Sequence, residues 1–211
     1  MNSHTDRKQN DHGSRVRLLE AAVRLFAEKG YVNTSVREIV ELAGVTKPVL
    51  YYYFKSKEGM FRVTLGYAAN QEEEMLSEVL ETPGPVLERF IHLYRLAYRV
   101  LSKDRNLFKF IHNLIFSPYL ETDHLDLGQY HRRMIDVIKS IYREGLAKGE
   151  VKEASPDEVA FLVMGLFDFC IQLDFTQPQR FDPGRPERLL RMAFFGLNGI
   201  NYPRQQEVQA T

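Results

Sequence analysis

Apolar positions recur every three to four residues in one segment after another, and no segment alternates with the two-residue rhythm of a strand. Leu18, Ala22, Leu25 and Phe26 share one side of a helix expected from about Ser14 to Lys29, with Gly30 as its stop. Val36, Ile39, Val40 and Ala43 line a short second helix, and Leu50 and Phe54, four apart, give a third its inward face. A long fourth helix is expected from about Ser56 to Glu81, ended by Thr82-Pro83-Gly84-Pro85. Further helical patterns cover 85–102, 104–116, 126–149, 156–175 and 185–200. The fold class is therefore all-α, with about nine helices and no internal repeat.

The stretch from Thr34 to Phe61 carries the densest local signals. Ser35 followed by Glu38 has the spacing of a capping box, with Thr34 as the alternative cap. Gly44 stands where a left-handed residue ends the second helix, and Val45 can plug the corner. Thr46 is a good N-cap for the third helix, and Pro48 in its first turn costs no helical hydrogen bond. With Leu50 and Phe54 turned inward, Lys47, Val49, Tyr51 and Tyr52 are left on or near the outer surface. Tyr53 is expected to pack into the small domain. Two short helices joined by such a turn are how one helix is presented to the major groove of DNA.

Three pieces of sequence carry a resemblance: LLEAAVRLFAEKGY (Leu18 to Tyr31), TSVREIVELAGVTK (Thr34 to Lys47) and LYYYFKSKEGMF (Leu50 to Phe61). In this order and spacing the run from about Arg15 to Met60 resembles the N-terminal DNA-binding domain of TetR-family transcriptional regulators. A later segment, REGLAKGEV (Arg143 to Val151), is similar to the end of a late helix in many members. Pro48 departs from the family, where glycine or a small polar residue is commoner, and this leaves base preference open.

The resemblance implies an N-terminal helix-turn-helix domain over 14–62 and a helical effector-binding and dimerisation domain over 63–202. Residues 1–13 are expected to be a disordered lead-in and 203–211 a loose tail. Lys47 can reach a guanine edge or a phosphate, and Pro48 and Val49 can touch thymine methyl groups. Arg37 matches a position that contacts bases in some members. Ser35, Thr46, Tyr51 and Tyr52 offer hydroxyls at the DNA face, and Lys57 is expected to supply a charge to a phosphate.

Charge agrees with a local DNA face. The 211 residues balance to a net charge of zero, yet residues 1–62 hold 11 Lys/Arg against 7 Asp/Glu. A basic N-terminal part on an acidic remainder suits phosphate binding at one end. Apolar residues at 44% and charged residues at 27% place the chain among ordinary globular domains.

The late helices bear on assembly. Apolar residues spread around nearly the whole circumference of 156–175, and a helix of that kind must be covered on all sides. Phe161, Phe169 and Leu173 there, with Leu190, Ala193, Phe194, Leu197 and Ile200 on the last helix, are candidates for a homodimer seam. In the resembling family the last two helices pair with their symmetry mates, which would set two reading helices on a palindromic operator. A small, largely hydrophobic effector is the second expected partner. Its candidate contacts on the middle helices are Tyr67, Phe90, Tyr94, Tyr98, Phe108, Ile111 and His112. Phe116, Tyr130, Met134, Met164, Phe167 and Asp168 complete that set.

No catalytic constellation is visible. There is no Gly-flanked serine and no phosphate-cradling glycine loop, and the six histidines lack a metal-ligand spacing. No cofactor, metal or membrane partner is expected. The apolar run Val159 to Phe175 is interrupted by Asp168, Gln172 and Asp174, which argues against a membrane span. One cysteine, Cys170, excludes an intrachain disulfide. The expected location is cytoplasmic, on the nucleoid. The function expected is a homodimeric repressor released by its effector. The alternative is a DNA-binding protein of the same fold that answers to a protein partner or activates transcription.

Overall fold

The computed structural model describes residues 3–115, 128–180 and 182–196, and these contain helices and no strand. The helices are α1 (Ser3–Lys29), α2 (Val36–Ala43), α3 (Lys47–Phe54), α4 (Lys57–Glu81) and α5 (Val86–Lys103). They continue as α6 (Arg105–Ile115), α7 (Gly128–Ala147), α8 (Pro156–Thr176) and α9 (Arg185–Phe195), with one 3-10 turn at Pro178–Arg180. The interior helices keep the expected bounds closely. The start does not: α1 begins at Ser3, where a disordered lead-in over 1–13 was expected. Apolar spacing is silent in that polar segment, and a helix once nucleated propagates through polar residues at little cost. At the other end α9 stops at Phe195, before the left-handed Gly196 at φ 74°. The expected extension to 200 and the tail lie outside the described residues.

The chain forms two compact units, Met1–Glu78 with Leu96–Met134, and Val79–Arg95 with Ile135–Thr211. The first unit extends past the expected DNA-binding domain over 14–62 and includes α6. The Phe110 ring stands 5.3 Å from Phe26 and 5.6 Å from Phe61. Leu107, Phe110 and Leu114 join Leu18, Ala22, Ile39, Leu50, Phe54 and Met60 in one buried cluster. Each such side chain withdrawn from water contributes roughly 1.5–3 kcal/mol before entropy is counted.

The second unit is organised around α5. Phe90 and Ile91 are fully buried, as are Ile138 and Ile141 of α7, Val163 and Ile171 of α8, and Leu190 of α9. The REGLAKGEV segment explains part of this packing. A Cβ on Gly145 would fall 1.8 Å from Val86 Cγ2, so only glycine lets the two helices meet there. Glu144 holds buried Arg89 at 2.6 Å, Gly149 turns the chain at φ 72°, and Glu150 accepts the Val86 N–H at the start of α5. Helix α8 is long and apolar enough by composition to cross a membrane. Ala160, Val163, Met164, Phe167, Cys170, Ile171 and Asp174 along it are buried in the unit.

Candidate nucleic-acid interface

The reading helix is set by the short elements before it. At the start of α2 the Ser35 Oγ accepts the Glu38 N–H at 3.2 Å, and Glu38 Oε2 accepts the Ser35 N–H at 2.9 Å. The capping box expected from the spacing is complete. Glu38 also pairs with Lys29 of α1. That ion pair, then the Ser35 bonds, hold its carboxyl down at about 2. Gly44 closes α2 at φ 63°, donating back to Glu41, and the Val45 N–H reaches the Val40 carbonyl. Arg17 of α1 donates to the Ala43 carbonyl at 3.2 Å, a cap at the C-terminus of α2 that no spacing rule announces.

On α3, Leu50 and Phe54 are buried and Tyr53 is half-buried, as expected. Lys47, Pro48, Tyr51 and Tyr52 are exposed, Tyr52 at 66%. This exposed set is the candidate DNA face. Val49 is half-buried against the head core, so only part of its side chain can reach a thymine methyl group. Thr46 begins α3 by its extended backbone alone, without a side-chain cap bond. Its hydroxyl, assigned both cap and phosphate roles from sequence, thus lacks the first of them. Ser35 is held in its capping box. Arg37 is exposed and pairs with Glu41 one turn on. An exposed pair of this kind is weak and would yield readily to a base or phosphate.

Two lysines take positions that the sequence does not announce. Lys55 ends α3 in the left-handed region, φ 65°, and its ammonium donates to the Tyr52 carbonyl. No glycine marks that position, which is why the sequence gives no sign of it. Lys57 is turned inward: its Nζ donates to the Tyr31 and Thr34 carbonyls, each at 2.8 Å. The expected phosphate contact competes with these bonds. A four-carbon stem can swing either way, and the spacing fixes only where it starts.

The effector candidates divide between the units. In the first, Tyr98 and His112 are buried, and Phe108 and Met134 are half-buried. Ile111 packs on the head core. Tyr67 is 54% exposed and accepts from Gln71, so it lines no interior within its unit. Of its neighbours at helical spacing, Val63 is exposed as well and Gln71 is half-buried. Phe116 and the side chain of Tyr130 lie outside the described residues. In the second unit Phe90, Tyr94, Met164 and Phe167 are buried. Tyr94 stacks on Phe167 at 5.2 Å and donates its hydroxyl to the Val163 carbonyl. Burial pushes the Asp168 carboxyl up to about 6.

The assembly candidates also separate. Phe161 is 69% and Phe169 63% exposed, and Ala193 is exposed as well. Phe195, 58% exposed, is a further uncovered aromatic that was not foreseen. Leu173 is half-buried. Leu190 is fully buried, and Phe194 packs edge-on against Phe90 at 6.0 Å, so both serve the core of their own unit. Periodicity put them on a stripe but could not say that α5 covers it. Leu197 and Ile200 lie outside the described residues. Among the described residues no group of three His, Cys, Asp or Glu could hold a metal ion. Cys170 is buried, and its thiol is pushed up to about 11, which disfavours the reactive thiolate.

Comparison with known proteins bears on this geometry. Residues 18–64 match the family described as bacterial regulatory proteins, tetR family. The fatty acid metabolism regulator protein of Bacillus subtilis is 28% identical over 172 residues, covering 79% of this chain and 86% of the relative. The TetR-family transcriptional regulator PfmR from Thermus thermophilus superposes with a TM-score of 0.66 at 25% identity, over 84% of this chain and 91% of its own. FadR from Bacillus subtilis, solved in complex with stearoyl-CoA, has a TM-score of 0.66 at 23% identity, over 86% of this chain and 98% of its own.

Proposed function

We propose that this chain, which belongs to the TetR family of transcriptional regulators, works in the cytoplasm as a homodimeric repressor of a palindromic operator, released by a hydrophobic effector. The observation that carries the reading is the α2–α3 device. Leu50 and Phe54 anchor α3 by one side, while Lys47, Pro48, Tyr51 and Tyr52 stand exposed on the other. Lysine donors suit guanine edges and phosphates, and tyrosine hydroxyls suit phosphates. Arg37 leaves Glu41 to join them.

Dimerisation is supported by the uncovered aromatics of α8. Phe161, Gly165 and Phe169 fall four residues apart on one side, with Leu162 beside them. A patch of this size on one helix favours a self-complementary partner. Two copies then offer two α3 helices to successive major-groove faces, roughly 34–36 Å apart. Effector binding shifts the population toward an arrangement that no longer fits that spacing, and by linkage operator DNA weakens effector binding. Long-chain acyl-CoA is the first effector to try, since relatives regulate fatty acid metabolism and one holds stearoyl-CoA. Phe90, Tyr94, Met164 and Phe167 are the side chains of the second unit offered to an acyl chain.

The test begins with selection of bound fragments from a genomic library. A recovered inverted repeat, bound by a dimer in sedimentation equilibrium and released by stearoyl-CoA, is the expected result. The double variant Lys47→Ala, Tyr51→Ala abolishes the selection. A chain that is monomeric at micromolar concentration and ignores every inverted repeat at low salt overturns the reading. Operator binding untouched by acyl-CoA of any length removes the effector class and leaves the DNA-binding part standing.

A further inference from the structure

We infer that Lys57 is a positioning residue for the DNA-facing end of α2, its ammonium tying the Tyr31 and Thr34 carbonyls to the first turn of α4, rather than a contact to phosphate. The inference rests on the operator-binding reading above. Both carbonyls lie 2.8 Å from Nζ, and the Tyr31 ring centroid lies 4.2 Å from it. An ammonium has three donor hydrogens. Two are directed at carbonyls, and the ring face provides a cation–π contact on top of them. To meet a phosphate, Lys57 would exchange two charge-assisted bonds and that ring for one screened contact in water. The bonds it already makes favour staying.

The carbonyls it holds are not arbitrary. Tyr31 lies in the turn that leaves α1, and Thr34 immediately precedes the Ser35 cap of α2. Thr34 is itself buried and donates its hydroxyl to the Gly30 carbonyl at 2.8 Å. Lys29 fastens the same corner from the other side through Glu38. Three side-chain links thus converge on the loop from Gly30 to Ser35 and on the first turn of α2. The first amides of α2 and the Arg37 side chain take their position from that corner. Burial also depresses the Lys57 ammonium below the ordinary lysine range, in keeping with a group turned away from water.

The two roles differ in their salt dependence. A phosphate contact releases a counterion, so its loss lowers the slope of log affinity against log salt by about one per half-site. A positioning residue changes affinity without changing the slope. The experiment compares the full chain with Lys57→Met and Lys57→Gln on a palindromic duplex recovered by fragment selection. Lys57→Met is expected to weaken binding about tenfold with the slope unchanged, as for a lost hydrogen-bonding group. Lys57→Gln, neutral but still a donor, is expected to recover part of that loss. Amide NMR shifts confined to residues 31–37 would show the displaced corner in a folded chain. A slope reduced by about one per half-site, equal for both variants and without those shifts, overturns the assignment.

Should Lys57→Met fail to fold, acetylation footprinting of the wild-type chain decides. Lys47 protected by the duplex, with Lys57 unchanged, upholds the assignment. Protection of Lys57 by DNA overturns it. Protection at neither lysine removes the operator reading, and this assignment with it.

Discussion

Lys57 in the first unit and Arg89 in the second do the same mechanical job with different chemistry. Each is a cation at the start of a helix that reaches back to backbone carbonyls and fixes a corner. Lys57 holds two neutral carbonyls and a ring, with no carboxylate among these partners. Arg89, only 4% exposed, holds the Leu80 carbonyl at 3.2 Å and the Glu144 carboxylate at 2.6 Å. The difference follows from acid–base chemistry. A lysine in a partly dry site can lower its pKa, and a cage of neutral acceptors is enough to hold it. A guanidinium keeps its proton throughout the accessible range, so a deeply buried one requires an opposite charge. Depth of burial and kind of partner go together in these two corners.

The comparison breaks most easily at Arg89. Arg89→Met leaves Glu144 and the Leu80 carbonyl without their donor, and we expect a loss of about 3 kcal/mol, the lower end for a broken buried pair because Glu144 is half exposed. Lys57→Met strands two neutral carbonyls and no carboxylate, and costs about 1 kcal/mol. Urea unfolding of the full chain measures both. Equal losses, or the reverse order, would mean that the carboxylate is not what distinguishes the two corners.

Next in size is Gly145→Ala, which leaves every charge in place. Its methyl group would collide with Val86. We expect the overpacking to cost about 2 kcal/mol in the same measurement, despite the better helix propensity of alanine. A neutral or stabilising result would show that the Arg89 corner holds without close contact between α5 and α7.

Asp168 sharpens the role of burial from the opposite sign of charge. Its carboxyl is raised from 3.8 to about 6, so the folded chain holds a proton that the unfolded chain has lost between those values. Stability therefore falls as pH rises through that window, and the full cost of the charge is present above it. Asp168→Asn is expected to gain about 1–2 kcal/mol near pH 8, discounted for partial exposure, and progressively less toward pH 4. Unfolding curves at several pH values that run parallel for the two proteins would refute this.

What the sequence made legible was chemistry that completes itself within a few residues. Ser35 and Glu38 cap α2, Gly44 turns, and Leu50 and Phe54 anchor α3, because each depends on neighbours one turn away. The same holds for the exposed lysine and tyrosines of α3. What escaped were decisions taken by residues far along the chain. Phe110 packs on Phe26 and Phe61, which lie tens of residues earlier in the chain, and no local spacing announces that contact. Leu190 and Phe161 both lie on apolar helices, yet one is sealed under its own unit and the other is not. Lys57 combined both cases: its position in the helix was legible, its direction was not.

The smallest effect concerns the corner that Lys57 shares with Lys29 and Glu38. Ser35→Ala removes the acceptor for the Glu38 N–H, and a lost cap costs about 1 kcal/mol. The ion pair with Lys29 survives it, and that pair is the first cause of the depressed Glu38 carboxyl. Glu38 should therefore move only part of the way from about 2 toward its ordinary 4.5 in the variant. Because its folded value is depressed, its contribution is present above 4.5 and is lost as pH falls toward about 2. Carboxyl NMR titration of wild type and Ser35→Ala reads this directly. A complete return to 4.5 would mean that the lysine bond seen here holds only while the cap is in place. The corner would then be a single cooperative unit, and the separate contributions assigned to Lys29 and Ser35 would merge into one.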